Sequence, residues 1–414
     1  MEEWKTYKLG ELAEVKGGKR LPKGNMLTTL RNSHPYIRIR DLGATKTIEL
    51  NSTYEYVEDD VQQLISKYIV KSGDVILSIV GTIGLTAIIG HSLNSANLTE
   101  NCVKFTNLRG VDPNYLYYFL TSPLGQDEIS KGIVGAVQPK LPIKNIQNIS
   151  IPLPEIEAQR RIASILSSID DKIELNRQIN DNLEQQAEAL YKSWFIDFEP
   201  FCEEKFIESS LGSIPTGWKV GQLSDVCEIV GGGTPSKNHP EYYCERGIAW
   251  LTPKDLSVSK SKFSSRGSED ITPEGYKNSS TKLMPRGTVL FSSRAPIGYI
   301  SIATNEICTN QGFKSAVPGI AGTGYLYYFL KANTDKIESK ASGSTFKEAS
   351  GALMKSLEII IPADGILNQF EAELAPILNK QENIASEIQA LTTLRDTLLP
   401  KLMSGELKIN EIDC

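Results

Sequence analysis

Histidine is scarce in this chain: His34, His91 and His239 are the only three in 414 residues. A metal centre built on imidazoles, or a histidine-based catalytic triad, has little to draw on. The six cysteines (Cys102, Cys202, Cys227, Cys244, Cys308 and Cys414) lie far apart, with no C-x-x-C pair. That spacing argues against a disulfide framework or a zinc knuckle and suits a reducing compartment. No apolar run approaches the roughly 18–20 residues a bilayer span needs. Met1–Lys5 has neither the basic nor the apolar region of a signal peptide. The expectation is a cytoplasmic protein with no membrane partner. Catalytic signatures are missing too. There is no G-x-x-x-x-G-K-[ST] phosphate loop, no G-x-S-x-G elbow, no H-E-x-x-H and no [DN]-P-P-[FYW] methyltransferase motif. S-x-x-K starts at Ser257, Ser259, Ser279 and Ser344, which in a Ser- and Lys-rich chain is chance recurrence.

The composition is that of a globular protein, 40% hydrophobic and 23% charged, long enough for two or three domains. The net charge of −6 is unusual for a nucleic-acid binder, but it is unevenly spread. Residues 1–154 carry +2 and residues 218–363 carry +4, whereas 155–200 and 364–414 carry −5 each and 201–217 carry −2. A partner reads the local field rather than the total.

An internal repeat governs the organisation. Trp4–Gly18 aligns without gaps to Trp218–Gly232, an offset of 214. The same offset pairs Asp41-Leu42 with Asp255-Leu256, and Gly73, Val75, Ser78 and Ile83-Gly84 with Gly287, Val289, Ser292 and Ile297-Gly298. Tyr115-Leu116-Tyr117-Tyr118-Phe119-Leu120 recurs unchanged as residues 325–330. Within each block, glycine-bounded apolar runs predict strands over Asp74–Val80 and Leu85–Ile89, with counterparts at Thr288–Ser292 and Tyr299–Ala303. Asp112-Pro113 predicts a helix start that turns Leu116, Phe119 and Leu120 inward. The neighbouring tyrosines are read as core rather than as base-stacking platforms.

After each block the period changes. A 4-3 spacing runs through Ile162, Leu166, Ile169, Ile173, Asn176, Asn180, Leu183, Ala187, Leu190 and Trp194. A second runs through Phe370, Leu374, Ile377, Gln381, Ile384, Ile388, Leu391, Arg395, Leu398 and Leu402. These are heptad seams. Pro200 is expected to end the first helix, Pro400 to kink the second and Gly405 to stop it. Neither helix buries its stripe alone, so the two are expected to pair antiparallel. Asn176 and Asn180 either face Gln381 and set register or lie on a slightly rotated, solvated seam. The Glu-, Ser- and Gly-bearing stretch between the halves reads as a linker.

Two mildly basic blocks joined by stiff helices suit a long, rigid, anionic partner: duplex DNA, read as two half-sites with an unread gap. Here the residues carry a resemblance. Trp194-Phe195-Ile196-Asp197-Phe198-Glu199-Pro200, Ile214-Pro215-Thr216-Gly217-Trp218 with Gly232-Gly233-Thr234-Pro235-Ser236, and Leu398–Leu407 together resemble the specificity subunits of Type I restriction-modification systems. The resemblance covers essentially the whole chain. It implies an α+β fold of two similar target-recognition domains, separated by two long antiparallel coiled-coil helices about a pseudo-two-fold. The domains are expected at 1–153 and 218–363, the spacer helices at 154–199 and at 364–414 (with the tail), and the linker at 200–217. It also implies a non-catalytic reader of a split, asymmetric site. Such a reader recruits two modification subunits that methylate adenine N6 with S-adenosylmethionine, and in some systems two restriction subunits that use ATP and Mg. No cofactor is expected in this chain. A coiled-coil scaffold with two protein-binding heads is the alternative.

Candidate DNA contacts in the first domain are Lys16, Lys19, Arg20, Lys23, Arg38, Arg40, Gln138 and Lys140. In the second they are Thr234, Ser236, Lys237, Lys254, Arg294, Thr345 and Lys347. Arg pairs bidentately with guanine and Gln with adenine, whereas Lys more often holds phosphate. Arg38 and Arg40 rank first, because an extended stretch would set them on one face. Asp41 and Asp255 are read as turn or capping residues. Gly231–Ser236 resembles a phosphate cradle without its lysine, and is expected to be a tight turn with backbone N–H groups free for an anion.

Overall fold

Val75–Ser78 and Thr86–Ile89 are fully buried four-residue runs, and they pair antiparallel as the centre of a sheet. In the computed structural model, which describes residues 4–294, 296–343 and 347–407, this sheet has five strands. Their order is Glu14–Gly17, Cys102–Thr106, Val75–Ser78, Thr86–Ile89 and Thr47–Ile48. The last strand joins in parallel and the others pair antiparallel. The second half repeats the plan with Cys227–Gly231, Lys314–Pro318, Val289–Ser293, Ile297–Ala303 and Phe263–Ser264, again with only the last pair parallel. The fold is therefore α+β and duplicated. The chain divides into two units: the part up to Leu175 with the part from Ile388 onward, and Asn176–Glu387.

Steric demands explain why the repeat keeps its glycines. A Cβ on Gly18 would lie 2.0 Å from the Thr99 carbonyl oxygen, and one on Gly232 would lie 2.0 Å from that of Asn310. Gly84, in the hairpin between the central strands of the first sheet, and Gly298, its counterpart at the start of strand Ile297–Ala303, have φ of +97° and +100°, a region open mainly to glycine.

Each sheet is backed by the helix carrying the repeated hexapeptide. Pro113–Thr121 starts as predicted: the Asp112 carboxylate accepts N–H bonds from Asn114 and Tyr115. Tyr115, Leu116, Tyr118, Phe119 and Leu120 are buried, as are Tyr325 to Leu330 on helix Thr323–Ala332, so these tyrosines are core.

The long helices are Ile156–Phe195 and Ile366–Ser404. In the first unit Ile162 and Leu166 share a core with Leu399 and Leu402, and Arg395 pairs with Asp170 at 3.1 Å. In the second unit the helices run antiparallel. Asn176 bonds Glu387, Asn180 faces Gln381, and Trp194 packs on Phe370. Asn176 and Gln381 are buried, so the polar residues lie in the seam and not on a solvated flank. Of the remaining seam positions, Ile173, Leu374 and Ile384 are buried, while Ile169, Leu183, Leu190, Ile377, Ile388, Leu391 and Leu398 are half-buried.

Two expectations need correction. Pro200 does not end the first long helix. The helix stops at Phe195, where the Lys192 carbonyl accepts the N–H groups of Ile196 and Asp197, and left-handed Phe198 turns the chain into a short 3-10 turn, Glu199–Phe201. The supposed linker also contains structure. Phe206–Ser209 and Gly212–Pro215 form a hairpin, with Phe206 against Phe198 and Ile214 buried in the core. Its apolar residues find a surface that composition does not reveal. The second long helix stays helical through Pro400, and Gly405 at φ +73° follows it.

Candidate nucleic-acid interface

One end of the five-stranded sheet in the first unit gathers most of the candidate contacts. Strand Glu14–Gly17 ends there and runs through Gly18 into Lys19 and Arg20. Strand Val75–Ser78 ends there in Ile79, Val80 and Gly81, and Cys102–Thr106 begins there after Glu100 and Asn101, whose carbonyl accepts the Ile79 N–H. The loop after helix Pro123–Gly132 joins this edge. Val134 and Lys140 exchange two backbone bonds of 2.9 Å, Val80 bridges to Lys140, and Leu141 N–H donates to Ile79. Ile39, between Arg38 and Arg40, lies against Gly81.

Four of the cations on this edge, Lys16, Arg20, Arg38 and Arg40, are held by carboxylates. Arg20 pairs with Glu100 at 2.6 Å, and that bond raises its pKa. Lys16 pairs with Glu14 at 2.6 Å. Arg38 and Arg40 both reach Glu55, Arg40 at 2.9 Å. The reason they converge corrects the extended reading, since Ile39–Asp41 is a 3-10 turn capped by the Asp41 carboxylate, which accepts the Arg38 N–H at 2.7 Å. Burial, with Arg40 nearby, lowers the Arg38 pKa. Lys19 and Lys23 are exposed on the loop after the first strand, with the Lys19 ammonium 5.6 Å over the Tyr68 ring. Gln138 and Lys140 are exposed on the hairpin loop.

The second unit builds the corresponding edge. Thr234, Ser236 and Lys237 follow strand Cys227–Gly231, and Arg294 follows Val289–Ser293. Arg294 bridges to Glu348, which also closes a loop with Ser342 and pairs with Lys314 at 3.2 Å. Glu348 therefore stands where the first unit has Lys140, and Arg294 where it has Val80. Lys254 lies on the first turn of helix Pro253–Ser259, whose Pro253 sits beside Gly312. Lys347 is exposed next to Glu348, and Thr345 lies outside the described residues. Asp255 is a capping residue, accepting from the Thr252 N–H and hydroxyl at 2.8 and 2.6 Å.

The glycine turn is corrected as well. The N–H groups of Gly232 and Gly233 are not free for an anion, because Gly232 donates to the Phe313 carbonyl and Gly233 to that of Thr309. The Thr234 hydroxyl bonds the Gln311 side chain. Composition had no means of finding Glu55, Glu100, Lys314 or Glu348, since each matters only through a partner far away in sequence. Among the described residues no cluster of His, Cys, Asp and Glu is placed to hold a metal, and no helix is long and apolar enough to cross a membrane.

Two copies of one α+β plan, each with arginines and lysines gathered at one sheet edge, define a duplicated reader of an anionic polymer. The profile of the Type I restriction modification DNA specificity domain matches residues 1–185 and 215–401. The chain belongs to that family, and its function is sequence-specific DNA recognition within a restriction-modification system. It is similar to the Type I restriction enzyme MjaIX specificity subunit of Methanocaldococcus jannaschii, at 26% identity over 99% of this chain and 95% of that one. It is equally similar to the HindI specificity subunit of Haemophilus influenzae, at 26% identity over 98% of this chain and 100% of the relative. The crystal structure of the S subunit of a Type I system from M. genitalium shares the fold, with a TM-score of 0.62 at 14% identity over 96% of both chains.

Proposed function

We propose that this chain is the non-catalytic specificity subunit of a cytoplasmic Type I complex, each unit reading one half of a split, asymmetric DNA site. The observation that carries the reading is the duplicated basic edge built on matching strand ends. Arg38, Arg40 and Gln138 in the first unit, and Arg294 in the second, are the proposed base readers. Lys19, Lys23, Lys140, Lys237, Lys254 and Lys347 are proposed to hold phosphates. The two edges differ at equivalent positions, Lys140 against Glu348 and Val80 against Arg294, which supports unequal half-sites. The long helices are proposed to recruit two modification subunits, which would supply S-adenosylmethionine-dependent adenine methylation. Restriction subunits, where the system includes them, would add ATP- and Mg-dependent cleavage.

The test is methylation of random-sequence duplexes by the purified chain with and without its modification subunits. Adenine methylation should appear only with both, and turnover by the chain alone overturns the non-catalytic assignment. Exchanging residues 1–153 for those of another family member should change one half-site only.

A further inference from the structure

Val137 is the most exposed large apolar side chain among the described residues, at 93%. It does not sit on a loose strand. Its loop is closed by the paired bonds between Val134 and Lys140 and anchored by Leu141 to Ile79. At Gly135, φ is +94° and a Cβ would lie 2.8 Å from the Gln138 carbonyl oxygen. The backbone is thus tied down on both sides while the valine is left in water, flanked by the partly exposed Val80, Ile133 and Val134.

None of the described residues covers this apolar tip, and its surroundings indicate which partner it suits. Lys140 lies at the base of the loop, Gln138 follows Val137 directly, and the Arg38–Arg40 turn packs on Gly81, next to Val80. Cations at the base and an amide beside the tip suit a polymer whose flanks are anionic and whose centre offers hydrogen-bonding edges. In the DNA major groove the one apolar group on those edges is the thymine 5-methyl, and adenine, its pairing partner, offers N6 and N7 to a glutamine.

We propose that Val137 reads the 5-methyl group of a thymine in the half-site contacted by the first unit. This rests on the DNA-reading function above and adds a specificity determinant to it. At the matching bridge of the second unit, the ion pair of Arg294 and Glu348 takes the place of Val80 and Lys140.

The full chain with its modification subunits is first used to select its target from random-sequence duplexes. Each thymine of that target is then replaced singly by uracil, which keeps every hydrogen-bonding atom and lacks only the methyl. At one position or more, wild-type affinity should fall about four-fold, the equivalent of ~0.8 kcal/mol for one buried carbon group. Val137→Ala should bind the thymine and uracil duplexes there within two-fold of each other, and Val137→Ile should restore the preference. If no thymine shows a wild-type loss that Val137→Ala removes, the inference fails while selective DNA reading stands. If Val137→Ala weakens assembly with the modification subunits and leaves DNA preference unchanged, the tip is a protein contact and the inference also fails. A complex that selects no sequence overturns the DNA-reading function itself.

Discussion

Lys262 Nζ lies 2.6 Å from the Glu184 carboxylate, with both side chains largely withdrawn from water. The carboxylate also accepts from Tyr328 at 3.0 Å, Lys331 at 2.6 Å and Gln381 at 3.1 Å. Lys262 and Tyr328 belong to the repeated block, whereas Glu184 and Gln381 come one from each long helix. The first unit repeats the device with different chemistry. Lys46, which likewise precedes the parallel strand, bonds Ser167 at 2.8 Å, and Tyr118 donates to Asp170, which pairs with Arg395. Both units thus lock their sheet to the helix pair through a lysine and a tyrosine.

Removing the anion from this cluster should be costly. Glu184→Gln is expected to lower stability by about 2–4 kcal/mol, read from the urea midpoint, because it strands the Lys262 ammonium in a mostly dry site, whereas Lys331 keeps Glu188 at 2.8 Å. Lys262→Met should cost less, since Glu184 keeps Lys331 and Gln381. Although burial pushes the Glu184 carboxyl up, Lys262, Lys331 and Gln381 hold it down to about 2. Its contribution is therefore full above the ordinary value of 4.5 and lost as pH falls toward 2. Burial pushes Lys262 down to about 8 against the pull of Glu184. Between that value and the ordinary 10.5 the unfolded chain holds more protons. Wild type should accordingly gain stability relative to Lys262→Met as pH rises through this window.

The two hexapeptide helices are capped by different means. Asp112 caps the first from within its own block. The second has Gly322 as its N-cap, with no side chain to serve, and Glu371 of the long helix accepts the N–H groups of Gly324 and Tyr325 at 3.1 and 2.8 Å. Asp112→Ala should cost about 1 kcal/mol. Glu371→Ala should cost about 1–3 kcal/mol, since it leaves buried donors unpaired. Burial raises the Glu371 carboxyl, opposed by these two N–H bonds. The folded state therefore holds its proton more tightly than the unfolded one, and ionisation costs stability. Wild type should lose stability relative to Glu371→Gln as pH rises above the ordinary 4.5, measured by thermal unfolding across a pH series.

Gly18→Ala and Gly232→Ala should each destabilise by about 1–3 kcal/mol, because the added methyl meets a backbone carbonyl that cannot swing aside. Gly231→Ala is the control, with the Lys314 side chain as its nearest neighbour at 3.9 Å, and should be close to neutral. Denaturant midpoints of the three variants decide the matter.

On the first basic edge, salt-titrated binding separates phosphate holders from base readers. Lys140→Ala should weaken matched and mismatched duplexes alike and reduce the salt slope by about 1. Arg38→Ala should cost about 1–3 kcal/mol on the cognate duplex and relax one base position. Glu55→Gln should strengthen non-specific binding and blur the first half-site, because the carboxylate that aligns both guanidinium groups has lost its charge. Unchanged specificity in both Arg38→Ala and Glu55→Gln would remove this turn from the reading surface.

Patterns local in sequence were legible before any fold was known. The repeat located both units, Asp112-Pro113 marked a helix start, and the 4-3 spacing found both long helices with their buried asparagine and glutamine. Reading failed where a residue's role depends on a distant partner. Arg38 and Arg40 were singled out through an extended geometry they do not adopt, and what brings them together is Glu55. Within the Gly231–Ser236 turn, Gly232 and Gly233 looked open to an anion until the carbonyls of Phe313 and Thr309 claimed their N–H groups. A composition typical of linkers hid the hairpin at Phe206–Pro215, whose apolar side chains take meaning only from Phe198 and the surrounding core.

The sequence by itself determined the duplicated α+β plan, the helical seams and the family. All three rest on periodicity, on spacing and on side chains that dictate backbone shape within a few residues. Tertiary structure alone decided which charges stand at each sheet edge and what neutralises them, because an ion pair such as Arg294 with Glu348 joins residues that sequence keeps more than fifty positions apart. It also decided that Val137 stays in water. Whether an apolar side chain is buried depends on what the rest of the chain brings against it, and here the described residues bring nothing.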